Sequence, residues 1–249
     1  TVHDRGTDSE ANDGLATLIT RVLIVPGEGN TADWGATIAG VSLRRISSGA
    51  LINIRDTSIT ASGIELAFDI GEFVVPNNTS EDFALAIWLK KTVSDHANLQ
   101  FKINSGNGIS HGIESSYFNS SQFSESFAGE ISSGLFSIEV TADRLIFTDY
   151  PGSVNSGEGF GLTLKAVDEN GNVDLDENGS EVILSLFSGA GNLTTIEGDV
   201  NLLTKQFIAG TAQWAEVLDY TGATDFFSLN AFTEGLFVNG DFQSGLISA

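Results

Sequence analysis

Oxygen-bearing side chains at alternate positions of one short segment are the chemically most suggestive feature of this sequence. They are Asp168, Asn170, Asn172, Asp174 and Asp176. An EF-hand loop surrounds Ca²⁺ in a similar way, because this hard cation takes about six to eight oxygen ligands. The segment is therefore a candidate calcium site, and Ca²⁺ is the one cofactor that the sequence suggests.

A plain turn is the competing interpretation of the same segment. The twelfth position of the loop, counted from Asp168, is Gly179 rather than the glutamate that an EF-hand places there. Asn-Gly steps with aspartate nearby are also ordinary turn chemistry. Both interpretations stay open at the level of sequence.

The sequence indicates no catalytic residues, and we expect that the chain is not an enzyme. Gly108–Gly112 fits the Gly-x-Ser-x-Gly string around Ser110, but a nucleophile elbow needs a strand before it and a helix after it. Neither pattern flanks Ser110. Nothing in the sequence places His3 or His96 beside a carboxylate.

Aromatic side chains offer a second kind of candidate site, because their faces stack on sugar rings. Trp88 and Trp214 lie in apolar stretches and are predicted to be buried, whereas Trp34 lies in a polar stretch and is the candidate for sugar stacking. Tyr117 and Tyr150 are further aromatic residues of this type.

The elements that position these residues are predicted to be β-strands. Residues 162–167 and 182–187 alternate apolar and polar side chains, and the acidic segment joins them as a strand–turn–strand unit. Similar strand signals recur at roughly ten-residue spacing, with glycine at most breaks, which is typical of a β-sandwich. The fold class is all-β, with two tandem β-sandwich domains. Within residues 31–40 a single helical turn after an aspartate N-cap is expected.

The last part of the chain is apolar and has two interpretations. The residues concerned are Leu236, Phe237, Val238, Phe242, Leu246 and Ile247. They form either the last hairpin of the second domain or a strand that is donated to a neighbouring subunit, as in polymers held by β-strand addition.

Composition excludes several classes of partner. The chain has 249 residues with 33 acidic and 11 basic side chains, which gives a net charge of −22 and argues against binding to nucleic acid or anionic lipid. Cysteine is absent, so disulfides and thiolate metal sites are excluded. No apolar stretch reaches the roughly 18 residues of a membrane span. Because methionine is also absent and residue 1 is threonine, we expect export followed by cleavage.

The second half of the chain resembles the bacterial immunoglobulin-like modules of invasin- and intimin-type surface proteins. The resemblance lies in residues 142–148, 151–154, 160–172, 179–186 and 226–231. It implies an immunoglobulin-like sandwich over 141–249, after a first module with an acidic lead-in over 1–140. Residues 14–20, 83–89, Asp95 and 99–103 resemble modules of repeat-bearing adhesins of Bacteroidetes-type bacteria. Both resemblances imply an extracellular structural or adhesive role.

The expected function is therefore that of an extracellular fibre or adhesin element on a bacterial cell surface. Its expected partners are other copies of itself or neighbouring modules of a longer chain, together with surface glycans, without nucleic acid or membrane insertion. Two alternatives remain open at this point. One is a pilus-like filament subunit polymerised by strand donation, and the other is a carbohydrate-binding accessory module of a secreted enzyme.

Overall fold

The computed structural model of the chain describes residues 1–4, 13–104, 112–122, 131–198, 203–222, 226–233 and 245–248. It forms two compact units, one made of Thr1–Val93 and Ala97–Ile138 and the other of Ser94–His96 and Glu139–Ala249. The change of unit at residue 138 lies two residues before the predicted boundary. The short segment 94–96, however, leaves the first unit and belongs to the second.

The first unit contains fourteen strands and one short helix among its described residues. These are β1 Val2–His3, β2 Thr17–Pro26, α1 Trp34–Thr37, β3 Ile38–Arg45, β4 Leu51–Ile52, β5 Asp56–Thr60, β6 Gly63–Ala67, β7 Phe73–Val75, β8 Ser80–Glu81, β9 Phe83–Leu89, β10 Asn98–Leu99, β11 Phe101–Ile103, β12 Ile113–Ser115, β13 Ile131–Ser132 and β14 Phe136–Ser137.

Strand β2 organises the larger sheet of this unit. The order is β13-β11-β2-β6-β5, and β7 and β12 also pair with β2, all antiparallel. A second sheet has the order β4-β3-β9. Side chains of both sheets, including Ile64 and Leu66 of β6 and Leu43 of β3, share one buried core. Burial of each such side chain contributes roughly 1.5–3 kcal/mol.

Helix α1 is the single turn predicted within residues 31–40. Asp33 is its N-cap and accepts a hydrogen bond from the backbone N–H of Ala36. This local bond satisfies one of the free N–H groups at the start of a helix, so the turn was visible in the sequence.

The second unit contains eight strands among its described residues. They are β15 Arg144–Thr148, β16 Phe160–Val167, β17 Glu181–Ser188, β18 Asn192–Thr195, β19 Thr204–Gln206, β20 Thr211–Thr221, β21 Phe226–Thr233 and β22 Gly245–Ser248.

These strands form two four-stranded antiparallel sheets around one core. The orders are β15-β16-β20-β18 and β19-β17-β21-β22. Leu162 and Leu164 of the first sheet and Leu184 and Leu229 of the second are almost fully buried in the same apolar cluster. Tyr220 and Phe227 stack across this core with ring centroids 4.0 Å apart. The all-β fold class is therefore confirmed, and its physical basis is the alternation of inward and outward side chains along each strand.

The acidic segment does not close a hairpin. Strand β16 lies in one sheet and β17 in the other, so residues 168–180 cross from sheet to sheet. The alternation predicted the two strands but contained no information about which strand each would pair with.

In the described part of the chain, no helix is long and apolar enough to cross a membrane.

Candidate functional site

Asp95 is the buried centre of a carboxylate cluster in the second unit. Its side chain is fully shielded from solvent and accepts three backbone hydrogen bonds. Oδ1 accepts from the N–H of His96 at 3.0 Å and of Val140 at 2.8 Å, and Oδ2 accepts from the N–H of Leu175 at 2.7 Å. Asp95 therefore joins the segment 94–96 to two distant parts of the same unit.

His96 lies beside this carboxylate and pairs with a second one. Its Nε2 atom is 2.9 Å from Oδ2 of Asp176 and 3.8 Å from Oδ2 of Asp95. The backbone of His96 is left-handed, with φ of 58°, which non-glycine residues seldom adopt. The prediction that no histidine has a carboxylate beside it is wrong for His96, because the pairing joins residues 80 positions apart in sequence.

Three side chains of this cluster have the geometry of a possible metal centre. Asp95, His96 and Asp176 offer ligand atoms that all lie within 4.8 Å of one another, and no other such group of His, Asp and Glu occurs among the described residues. One imidazole with two carboxylates is a donor set suited to Zn²⁺ or Mn²⁺. The same atoms also form a plain ion pair, which is the arrangement that the structure contains.

Neighbouring charges shift the protonation of this cluster. The hydrogen bond with Asp176 raises the pKa of His96 above its ordinary value of 6.5, and nearby carboxylates add to the effect. The bond from His96 lowers the pKa of Asp176. Glu139 lies beside Asp176, and its hydrogen bond with that carboxylate raises the pKa of Glu139. The protonation of Glu139, Asp176 and His96 is therefore linked.

Stability is expected to fall as pH rises through the folded-state pKa of His96. A raised histidine pKa stabilises the folded chain fully below 6.5, and that contribution is lost at higher pH. The lowered pKa of Asp176 acts in the other direction, because its contribution is present above 3.8 and is lost in acid. The ion pair thus stabilises most between about pH 4 and 6.5.

The variant His96→Asn tests this pH dependence, since asparagine accepts left-handed backbone well. We expect the melting temperature of the natural protein to fall more steeply between pH 6 and 8 than that of the variant. Two parallel curves over this range, measured by circular dichroism, would show that His96 does not carry the effect.

The first half of the predicted calcium loop is held by Asp168. Its Oδ1 accepts the backbone N–H groups of Asn170 at 2.8 Å and Asn172 at 2.9 Å, and its Oδ2 accepts the amide Nδ2 of Asn172 at 2.8 Å. Burial opposes ionisation of Asp168, but the bonds from Asn172 and Asn170 prevail and lower its pKa. This arrangement is a hydrogen-bonded turn around Gly171, which has φ of 86°.

The second half of the loop is organised by Asp174 in the same manner. Its buried carboxylate accepts the N–H of Ala142 at 2.9 Å through Oδ2, and those of Asp176 at 3.0 Å and Glu177 at 3.1 Å through Oδ1. Asp168 thus binds groups of its own loop, Asp174 binds its own loop and also the distant N–H of Ala142, and Asp176 turns toward His96. Calcium binding by the five predicted residues stays a prediction.

Sequence reasoning missed Asp95, His96 and Glu139 as parts of one site. They come from segments about 40 and 80 residues away from Asp176, and no local pattern links them. The left-handed backbone of His96 and the lone buried aspartate of segment 94–96 become visible only in the fold.

The candidate sugar-binding residue Trp34 is buried, so its assignment as an exposed platform is wrong. It has 0% exposure, its indole Nε1 donates to Oδ1 of Asn30 at 2.6 Å, and its ring packs 4.8 Å from that of Phe101. A buried tryptophan needs a hydrogen-bond partner for its indole N–H, and Asn30 is that partner. The polar stretch around Trp34 therefore does not indicate that its ring is exposed.

The exposure of the other tryptophans agrees only in part with the prediction that both are buried. Trp214 is fully buried, as predicted, but Trp88 is 51% exposed and lies over the backbone of Gly40, its partner across β3 and β9. Leu85 and Ile87 of β9 pack against the core, so strand alternation turns Trp88 to the outer face, where Gly40 leaves room for the indole. Tyr117 and Tyr150 are 74% and 44% exposed.

The remaining candidates concern the C-terminal strand and Ser110. Leu246 and Ile247 lie in β22, which pairs antiparallel with β21 of the same chain at the end of the sheet order. Leu236, Phe237, Val238 and Phe242 lie outside the described residues, as does Ser110 with the Gly-x-Ser-x-Gly string.

The fold and these contacts define an all-β protein whose second unit is a two-sheet sandwich with an apolar core and loops that are bound by buried aspartates. No family model and no curated protein matches the chain. Among solved structures it is similar to a glycosyl hydrolase family 2 member from Bacteroides cellulosilyticus, with 10% identity, a TM-score of 0.35, and coverage of 93% of this chain and 28% of that one. It is also similar to a beta-glycosidase from Bacteroides vulgatus, with 12% identity, a TM-score of 0.30, and coverage of 92% and 25%. The chain spans about a quarter of each enzyme, and likeness at this level carries no argument about function.

Proposed function

We propose that this protein is an extracellular structural or adhesive element of a bacterial cell surface, acting as part of a fibre or adhesin. The observation that carries the proposal is the use of the buried and half-buried acidic side chains in the second unit. Asp95 and Asp174 each accept three backbone N–H bonds, and Asp168 accepts two together with one from a side chain. These hydrogen bonds fix loops of the sandwich in place. A module that carries mechanical load needs loops that are fixed in this way.

Composition supports the same proposal. A net charge of −22 on 249 residues keeps copies of the chain from collapsing onto one another and onto anionic surfaces. Two units with separate apolar cores suit serial use in a longer assembly. The proposed partners are other copies of this chain or neighbouring modules of a longer one.

Surface labelling of the source bacterium tests the proposal directly. Antibodies raised against the folded protein are expected to label intact cells as strongly as permeabilised cells, and brief protease treatment of intact cells should remove the signal. Labelling that requires permeabilisation would contradict an extracellular role. A cytoplasmic protein probed in parallel controls for leakage.

Polymerisation by strand donation is the second candidate, and the position of β22 favours it. This strand is four residues long and forms an edge of its sheet, where it pairs only with β21 among the described strands. If the same strand of another copy took its place, Phe227 would still pair with Ile247. Negative-stain images of native material are expected to show filaments, and loss of residues 245–249 should abolish them. Native material that is monomeric would exclude this candidate.

Calcium binding by residues 168–176 is tested by thermal melting. Bound Ca²⁺ would stabilise the second unit by about 2.7 kcal/mol at a free concentration one hundred times Kd. We therefore expect Ca²⁺ to raise the melting temperature and EDTA to reverse the increase, with Mg²⁺ as the control cation. Identical melting curves in Ca²⁺ and EDTA would show that the loop is a plain turn.

A further inference from the structure

An open groove of about 660 Å³ lies on the second unit, beyond the carboxylate cluster described above. It forms where the segment 149–159 meets strands β16 and β20. Its volume falls within the roughly 300–1,000 Å³ that is usual for small-ligand sites. None of the candidate residues from the sequence analysis except Tyr150 lines it.

The floor of the groove is formed by two paired strands. Leu162 is 2% exposed and Trp214 is fully buried, and they are paired neighbours on β16 and β20. Strand alternation turns Gly161 and Gln213 to the opposite side of this sheet from the core. The groove therefore rests on the outer face of a sheet whose inner face is the core of the sandwich.

A large β-bulge shapes one wall. Phe160 pairs with Leu218 and Leu162 pairs with Trp214, so β20 contains two extra residues at this point. Within the bulge Glu216 has φ of 53°, a left-handed conformation that is uncommon for glutamate. Bulges and such backbone outliers occur preferentially at functional sites, where they redirect side chains.

Glycine makes this close approach of the two strands possible. A Cβ atom on Gly159 would lie 2.4 Å from the carbonyl oxygen of Glu216, and one on Gly161 would lie 2.7 Å from that of Trp214. Both contacts are with backbone, which has no alternative position inside the sheet. The groove thus depends on two residues that have no side chain.

The facing wall is also fixed by hydrogen bonds. Asp219 accepts the N–H of Gly157 at 2.9 Å, which ties the segment 149–159 to β20. Within that segment, Asn155 donates through Nδ2 to Oε2 of Glu158 at 2.7 Å. Asp149, at the entrance to the segment, is a second left-handed non-glycine residue in the lining, with φ of 49°.

We propose that this groove binds a neutral carbohydrate chain. Tyr150, 44% exposed, supplies an aromatic face for the apolar side of a sugar ring. Glu158 and Glu216 supply charged acceptors, and Gln213 and Asn155 supply amides that both donate and accept, for the sugar hydroxyls. An aromatic face with a few convergent polar groups is the usual composition of a site for such a ligand.

The charge of the groove selects among ligands. Its lining contains three carboxylates and no lysine or arginine, so an acidic polysaccharide or a phosphate group would be repelled. A bare cation is disfavoured as well. Among the described residues, the carboxylates that converge within metal-ligand distance are those around His96 and not those of the groove. A neutral polyol satisfies the hydrogen-bonding groups without either conflict.

This inference goes beyond the structural role proposed above and does not depend on it. Affinity electrophoresis tests it with soluble galactomannan, xyloglucan, arabinoxylan, mixed-linkage glucan and dextran as neutral probes and polygalacturonate as the acidic one. At least one neutral polymer is expected to retard the natural protein, and polygalacturonate is expected to have no effect.

Two groove variants and one control complete the test. Tyr150→Ala should lower the affinity roughly tenfold or more, and Gln213→Ala, which removes an exposed amide, should lower it about fivefold. Tyr117→Ala removes an even more exposed tyrosine from the first unit and should bind like the natural protein. The proposal is overturned if no neutral polymer retards the protein, if only the acidic one does, or if both groove variants bind normally. Because surface labelling is independent of sugar binding, either proposal can fail without the other.

Discussion

Replacement of Asp95 by alanine is expected to lower the free energy of unfolding of the second unit by roughly 3–5 kcal/mol, since three backbone N–H groups, one buried and two partly buried, lose their acceptor. The side chain is fully shielded, so water cannot replace the carboxylate without opening the segment 94–96. A loss of this size is a large fraction of the stability of a typical domain. Chemical denaturation, followed by circular dichroism and by the fluorescence of Trp214, measures it.

A graded series separates the hydrogen bonds of Asp95 from its charge. Asp95→Asn can keep its oxygen at the position that accepts from His96 and Val140, but its NH₂ group then faces the N–H of Leu175. Its loss should therefore be smaller, about 1–3 kcal/mol. Asp143→Ala is the matched control, because Asp143 is 52% exposed and pairs only with its neighbour Arg144 in the ion pairs described. It should cost less than about 1 kcal/mol. Equal losses for Asp95→Ala and Asp143→Ala would refute the anchoring role.

Replacement of Gly161 by alanine is expected to destabilise the second unit by about 3 kcal/mol and to deform the groove, as overpacking of fixed backbone does. The new Cβ would lie 2.7 Å from the carbonyl oxygen of Trp214 and 3.0 Å from the nitrogen of Glu216. Neither atom belongs to a flexible side chain. The strands must separate or the bulge must shift, and both changes weaken the pairing of β16 with β20.

Gly152→Ala provides the control for this substitution. A Cβ on Gly152 would meet no atom within 4 Å, and its backbone is not left-handed. Alanine there should be neutral or should stabilise by up to about 1 kcal/mol, because it restricts the unfolded chain. Thermal unfolding of the two variants side by side gives the comparison. If Gly161→Ala has the same melting temperature as Gly152→Ala, the bulge does not require glycine at position 161.

Local patterns predicted the parts of the fold that local physics controls. The alternation over 162–167 predicted β16 because a strand turns successive side chains to opposite faces. Asp33 predicted the start of α1 because its bond to Ala36 spans only three residues. Trp214 was predicted to be buried from its apolar neighbours, and it is.

Predictions failed where a distant partner decided the outcome. Trp34 was assigned to the surface because its neighbours are polar, yet Asn30 and Phe101 enclose it. Trp88 was assigned to the core because its neighbours are apolar, yet alternation along β9 turns it outward, where it lies over Gly40 of the adjacent strand. His96 was judged to have no acidic neighbour, yet Asp176 lies 2.9 Å away.

The sequence by itself determined an all-β chain with a strongly acidic surface and an aspartate-capped helical turn. Each of these follows from side-chain type and from spacing over a few residues, which the chain carries whatever its tertiary arrangement. Only the tertiary structure decided that Asp95 supports Val140 and Leu175, and that Gly161 of β16 meets a bulge of β20 in the groove that Tyr150 also lines. Contacts between distant segments bring these groups together across 40 to 80 residues, and no period in the sequence encodes which segment will be the neighbour.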